Sequence, residues 1–206
     1  DHSYVEETLI NGNKLRICAT PQSVNKICVM KGRLPQNDKE IAIDRMYAVN
    51  NKLSIGDTIK SKNHSLKICG LVALPDYSAL FENNSDTMFD AIKFGVAVVQ
   101  PSLFNQWDTT HMTYSYSWLY ANKPKNEEKK SESFLKLLNR EVHLEEYIPQ
   151  YENQAIHFTG DDMGSDGVMV RLLLYIMIVI IAFVFAVTMT NTIQKEANVI
   201  GTLLAS

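Results

Sequence analysis

The sequence is short of cysteine, proline and glycine, and it carries no excess of basic charge. Its 206 residues include 3 Cys, 6 Pro and 9 Gly. Cys18, Cys28 and Cys69 lie in the contexts RICAT, KICVM and KICGL, with no CxxC pair. An odd count without that pair gives no support to a disulfide framework, a zinc ribbon or a redox motif. It predicts three small buried hydrophobes instead, with Cys18 and Cys28 within reach of each other across a hairpin. Lys and Arg number 20 against 23 Asp and Glu, a formal net charge of −3. No basic field exists to hold nucleic acid.

Catalytic and cofactor motifs are missing too. There is no GxxxxGK[ST], no HExxH and no GxSxG. His2, His64, His111, His143 and His157 are scattered without ligand spacing, and no two carboxylates form an acid–base pair. No catalytic, cofactor-binding or metal-binding residue is assigned, and the chain is not read as an enzyme. The opening DHSYVEETLI has neither a basic segment nor an apolar one, so it is not a signal peptide. Starting at Asp1 and stopping at Ser206 in mid-pattern, the chain reads as a fragment of a longer protein.

What is present is a long apolar run. Leu172 to Met189 reads LLLYIMIVIIAFVFAVTM, without a charge. A bilayer core of about 30 Å needs about 20 such residues at about 1.5 Å each. Asp161, Asp162 and Asp166 precede the run, Arg171 stands at its edge, and Lys195 follows it. The spacing from Asp162 imitates the start of an EF-hand loop, but the twelfth position is Leu173 rather than a bidentate Glu. These aspartates are read as a helix N-terminus, favoured by the dipole.

The preceding residues read as one folded domain. Leu15–Ala19 and Asn25–Met30 predict a hairpin, and Glu40–Asp44 a buried strand. Arg45–Asn50 predicts a short helix. Thr58–Ser61, His64–Leu74 and Lys93–Gln100 predict strands, and Pro101–Trp107 a helix opened by its proline. Thr113–Ala121 alternates with Tyr114, Tyr116, Trp118 and Tyr120 on one face, which reads as a packed sheet face or a sugar- or peptide-binding ladder. Asn126–Arg140 predicts an amphipathic helix, with Val142–Ile148 and Gln154–Phe158 as closing strands. The stretch from Pro75 to Phe94 has no period. Its Tyr77, Phe81, Met88 and Phe89 either fold onto the core or form a partner-binding loop. The fold class is α+β: a mixed-sheet domain over residues 1–165, then one long transmembrane helix over residues 166–206.

Two stretches point to a family. TNTIQKEANVIGTLLAS places Ile193, Glu196, Ile200, Gly201, Leu203 and Ala205 in the order I-x-x-E-x-x-x-I-G-x-L-x-A. This resembles the cytoplasmic coupling signature of FtsX-like ABC transporter permeases. KGRLPQNDKEIAID, LSIGDTI and LKICGLV look like their MacB-type periplasmic core domain, with Gly32, Arg33, Glu40, Ile41, Gly56, Asp57 and Gly70 in matching places. Leu204 departs from the family's usual basic or Ala residue. The resemblance implies an extracytoplasmic domain, a cytoplasmic C-terminus and a place in the bacterial cell membrane. It implies an ABC ATPase subunit as partner, a second permease copy or repeat, and membrane lipid around the helix. ATP would be bound by the separate subunit. The implied role is export or mechanotransmission, with peptide, lipoprotein or antimicrobial substrates. The other reading is a single-pass receptor whose outer domain binds an extracellular peptide or glycan.

Overall fold

In the computed structural model the backbone is described for residues 1–204, with side chains described to Ala197 and again at Gly201. The order of elements is β1 (Tyr4–Thr8), β2 (Lys14–Ala19), β3 (Cys28–Gly32), β4 (Glu40–Asp44), α1 (Arg45–Asn50), β5 (Thr58–Lys60), β6 (Ser65–Ala73), β7 (Phe94–Val99), α2 (Pro101–Phe104), β8 (Met112–Thr113), α3 (Glu127–Glu141) and α4 (Gln154–Leu204). The fold is α+β, a mixed eight-stranded sheet with a long C-terminal apolar helix. By its internal contacts the chain divides into two units, Asp1–Thr159 and Gly160–Ser206.

The sheet runs β3-β6-β4-β7-β2-β1-β8, with β5 also on β6. β7 is buried on both faces, as its continuous run FGVAVV requires of a central strand. It lies parallel to β2 and antiparallel to β4. Leu15, Ile17, Ile41, Ile43, Val72, Val96 and Val98 form the centre of the core. The Asp44 carboxylate caps α1, accepting from the Met46 and Tyr47 amides at 2.7 and 3.1 Å. Tyr47 then lies fully buried over Gly95, where an added Cβ would come 2.5 Å from the tyrosine ring.

Five expectations are corrected. The β2–β3 hairpin does not form. β2 pairs instead with β1 and β7, and β3 pairs with β6. Alternation in β2 reports a buried face but not which strand lies beside it, and the preceding β1 closes the shorter loop, turning at Gly12 with φ +84°. Cys18 and Cys69 are buried, but Cys28 is exposed on the edge strand β3, so it is not a core residue. Burial pushes the Cys18 thiol up to about 12.

The aromatic strand shrinks to β8, because β1 ends and leaves only Met112 and Thr113 in the ladder, with Ser115 bonded beyond it to the His2 amide at 2.7 Å. Tyr114 and Tyr116 stay exposed, while Trp118 turns onto Phe134 of α3 and Tyr147, with ring centroids at 5.3 and 5.2 Å. Val142–Ile148 forms no closing strand, and Gln154–Phe158 is helical, the start of α4. The long helix therefore begins twelve residues before the expected start at Asp166 (154 against 166), and it contains Asp161, Asp162 and Asp166 rather than starting at them.

Among the described residues, one helix is long and apolar enough to cross a membrane. Its 51 residues span about 75 Å at 1.5 Å per residue.

Candidate functional site: a clamp on the start of the long helix

The segment between β6 and β7 is where the folded unit takes hold of the first residues of α4. Phe81 and Phe89 from this segment meet Phe158 from α4 in a three-ring cluster. The centroids lie at 5.5, 5.3 and 5.3 Å, each pair edge-on, the geometry favoured by the ring quadrupole. Ala79 and Ala155 close the cluster. Burial of such side chains contributes roughly 1.5–3 kcal/mol each at full burial.

Polar contacts surround the rings. The Ser78 hydroxyl donates to the Ala155 and Ile156 carbonyls at 2.6 and 2.8 Å, and the Ala79 amide donates to Ala155 at 3.1 Å. The Asn84 side-chain oxygen accepts from the Gln154 amide at 2.8 Å, and the Gln154 side chain donates to the Asp86 carbonyl at 2.8 Å. Asn84 also donates to the Glu152 carbonyl at 3.1 Å. These bonds occupy amides and carbonyls of the first helical turn, where unpaired donors otherwise collect.

The same segment is tied to the sheet. Arg16 on β2 donates to the Tyr77 hydroxyl at 2.8 Å, to the Glu82 carbonyl at 2.8 Å and to Glu6 on β1 at 2.6 Å. Its guanidinium lies 4.3 Å from the Tyr4 ring centroid and 5.0 Å from that of Phe94, so ring faces replace lost water. Lys14 on β2 pairs with Glu82. Burial pushes the Tyr77 phenol up to about 12, against the pull of Arg16. Asp76 pairs with His2 at 2.8 Å and accepts from Asn25 at 3.0 Å. The clamp thus runs from β1 and β2 through this segment to α4.

Of the four residues named for a partner-binding loop, Tyr77, Phe81 and Phe89 are used in this way and only Met88 is left in solvent. The clamp itself escaped the sequence reading. The one signal was three phenylalanines in segments without a period, each needing cover.

The seven residues of the outer-domain motif come together at one corner. Gly32 is opposite Gly70 in the β3–β6 ladder. A Cβ on Gly70 would overlap the Arg33 carbonyl, and Gly32 holds φ +78° against the Cys69 carbonyl. Arg33 grips Glu40 with both its Nη atoms, at 2.7 and 2.5 Å, and the Gln36 amide adds a bond at 3.0 Å. Arg33 and that amide hold the Glu40 carboxyl down to about 2. Ile41 is buried beside them, with its carbonyl 3.3 Å from the Cys69 sulfur. Gly56, at φ +102°, and Asp57 bond to Ile68 through their backbones, each at 2.8 Å, and Asp57 accepts from the Ser54 amide at 2.8 Å. These positions hold strands and turns in place and present no reactive group.

Of the coupling positions, Ile193 and Glu196 are exposed on α4, and Gly201 lies in it with open space about it. The side chains of Ile200 and Leu203, and Ala205 altogether, lie outside the described residues. Among the described residues, no three His, Cys, Asp or Glu side chains converge as metal ligands. A small cleft lined by Glu7, Ser61, His64 and Trp107 over Ile17 and Ile41 has room for about one water.

No family model matches the chain, and no curated protein matches it significantly. Among solved structures it is similar to a domain of a provisionally assigned permease protein from Porphyromonas gingivalis. The identity is 11% and the TM-score 0.30, over 69% of this chain and 62% of that one.

Proposed function

We propose that the chain is part of the permease subunit of an FtsX/MacB-type ABC system, and that it transmits movement between a separate ATPase and the domain formed by its N-terminal residues. The observation that carries this reading is a helix continuous from the clamp at Gln154 to Leu204, through the stretch where the coupling signature lies. A simple anchor has no need for the Ser78, Phe81, Asn84 and Phe89 side chains to grip its first turns. No Pro or Gly interrupts Val168–Ile200, so no backbone break absorbs displacement there. Two-state movement of such an element is a recurring route of coupling.

In this reading the domain lies outside the cell membrane and the C-terminus in the cytoplasm. A second permease copy or repeat completes the membrane part, and ATP stays on the partner subunit. The domain itself performs no catalytic step. The receptor reading is weaker, because Tyr77, Phe81 and Phe89 are occupied by the clamp.

The test uses the full-length protein with its ATPase. Glu196→Ala and Gly201→Leu should leave the outer domain folded while breaking the dependence of ATP hydrolysis on the permease. Failure of any ATPase to co-purify, or normal coupled hydrolysis in both variants, would sink the assignment.

A further inference from the structure

The open edge of the sheet lies along β3. The strand order begins at β3, whose one ladder is with β6. Among the described residues, no backbone hydrogen bond reaches Cys28–Gly32 from its other side, so a row of N–H and C=O groups is left open there. The other edges are used or short. β5 lies in line with β3 along β6, but its free side is taken by the turn after β1. There the Ile10 amide donates to the Lys60 carbonyl at 3.1 Å, and Leu9 bridges to Ser61. β8 offers two residues.

The β3 edge is held at both ends. Before it, Asn25 at φ +56° donates to Asp76 at 3.0 Å and to Ser117 at 3.3 Å. After it, the Arg33 amide donates to the Cys69 carbonyl at 3.2 Å. All five residues of β3 are exposed, Val29 at 40% and Met30 at 52%. Lys26 and Lys31 are exposed as well, and among the described residues neither pairs with a carboxylate. Arg33 beyond them is committed to Glu40.

We propose that β3 takes an added strand from a protein partner, an extended segment with acidic side chains among apolar ones. Its backbone pairs with the open row of β3, its carboxylates meet Lys26 and Lys31, and its apolar side chains cover Val29 and Met30. The lysines decide the occupant. A second copy would bring its own Lys26 and Lys31 to the same strip, and like charges facing across a strand pair are destabilising. Lysine on an edge guards against self-pairing, and the same charge favours an acidic strand. An edge fixed at both ends loses little freedom when a strand is added.

The test uses the full chain in neutral detergent and a capped nine-residue peptide that alternates Glu and Val, labelled with fluorescein. Anisotropy reports binding. Cys28 reports the place, because it is exposed on β3 while Cys18 and Cys69 are buried. Saturable binding is expected, with alkylation of Cys28 by N-ethylmaleimide slowed at saturation. Lys26→Gln with Lys31→Gln should weaken binding roughly tenfold, about threefold for each exposed ion pair, while far-UV circular dichroism stays unchanged. The same peptide with alternate amides N-methylated keeps its charge but loses the donors along one edge, and it should not bind. A peptide alternating Lys and Val should not bind either. Absence of binding by the acidic peptide, or binding that leaves Cys28 alkylation unchanged, overturns the proposal. Equal binding of the N-methylated peptide also overturns it, by reducing the contact to charge alone. Protection of Cys28 that grows with protein concentration without peptide would identify a second copy as the occupant and overturn it too.

Discussion

Phe158→Ala separates the clamp from the core. Phe158 contributes its ring to the three-ring cluster but is only partly buried on the first turns of α4. Truncating a fully buried phenylalanine costs about 3–5 kcal/mol, so the partly buried Phe158 ring implies about 2–3 kcal/mol. Losing edge contacts to Phe81 and Phe89 adds about 0.5–1.5 kcal/mol each. Part of that sum is recovered as the neighbouring rings relax, which leaves about 2–4 kcal/mol, a factor of about 30 to 1,000 in the opening equilibrium. Hydrogen exchange on the full chain in nanodiscs reads this directly. Peptides covering Ser78–Asp86 and Gln154–Thr159 should exchange faster by that factor. Peptides from β2, β4 and β7 should not change, because Leu15, Ile41 and Val98 belong to the other cluster. Phe134→Ala, which removes a ring from the Trp118–Tyr147 group instead, serves as control and should leave the clamp unchanged. Unchanged exchange at Ala79 in Phe158→Ala, or a loss of protection spread through β7, would refute the reasoning.

Three further outcomes follow from the same structure. Gly70→Ala drives a Cβ into the Arg33 backbone and should cost about 3 kcal/mol or more, whereas Gly56→Ala meets open space and carries only the strain of φ +102°, about 1–2 kcal/mol; thermal melts of the two should keep that order. The Glu40 carboxyl is depressed in the folded state, so its stabilising pair with Arg33 is fully present above the unfolded value near 4.3 and is lost as pH falls toward about 2. Urea midpoints between those limits should fall more steeply for the parent than for Glu40→Gln, and equal slopes would count against the pairing. Replacing Gly160, Gly164 and Gly167 together by Ala should favour helix by about 3 kcal/mol, since each Gly costs about 1 kcal/mol in an exposed helix. Exchange across that stretch should slow by about a hundredfold, and an unchanged rate would show that something other than propensity holds it.

Elements with a strong local pattern were legible in the sequence. β4 matches its expected bounds at both ends, and β6 and β7 lie inside theirs, because alternation or a continuous apolar run marks such strands wherever their partners come from. The apolar helix was legible for the same reason. Pairing was not, since nothing in Leu15–Ala19 tells β1 from β3. The start of α4 was hidden because QAIHF is too short to reveal its period, and its helical state depends on Ser78, Asn84 and Phe81 some seventy residues earlier. Tyr114 and Tyr116 alternate like a strand but find no partner beyond Thr113. The motif corner was visible as a set of residues, while its physical content, two glycines under carbonyls and an Arg33–Glu40 fork, needed the fold.

The central claim is that movement reaches the folded domain through the clamped helix. The most direct measurement follows hydrogen exchange at Ser78–Asp86 and Gln154–Thr159 in the full-length permease with its ATPase, resting and during ATP hydrolysis. The account predicts that exchange at these amides changes with hydrolysis, and that Glu196→Ala abolishes the change. Identical exchange in both states, with the ATPase bound and active, would contradict it.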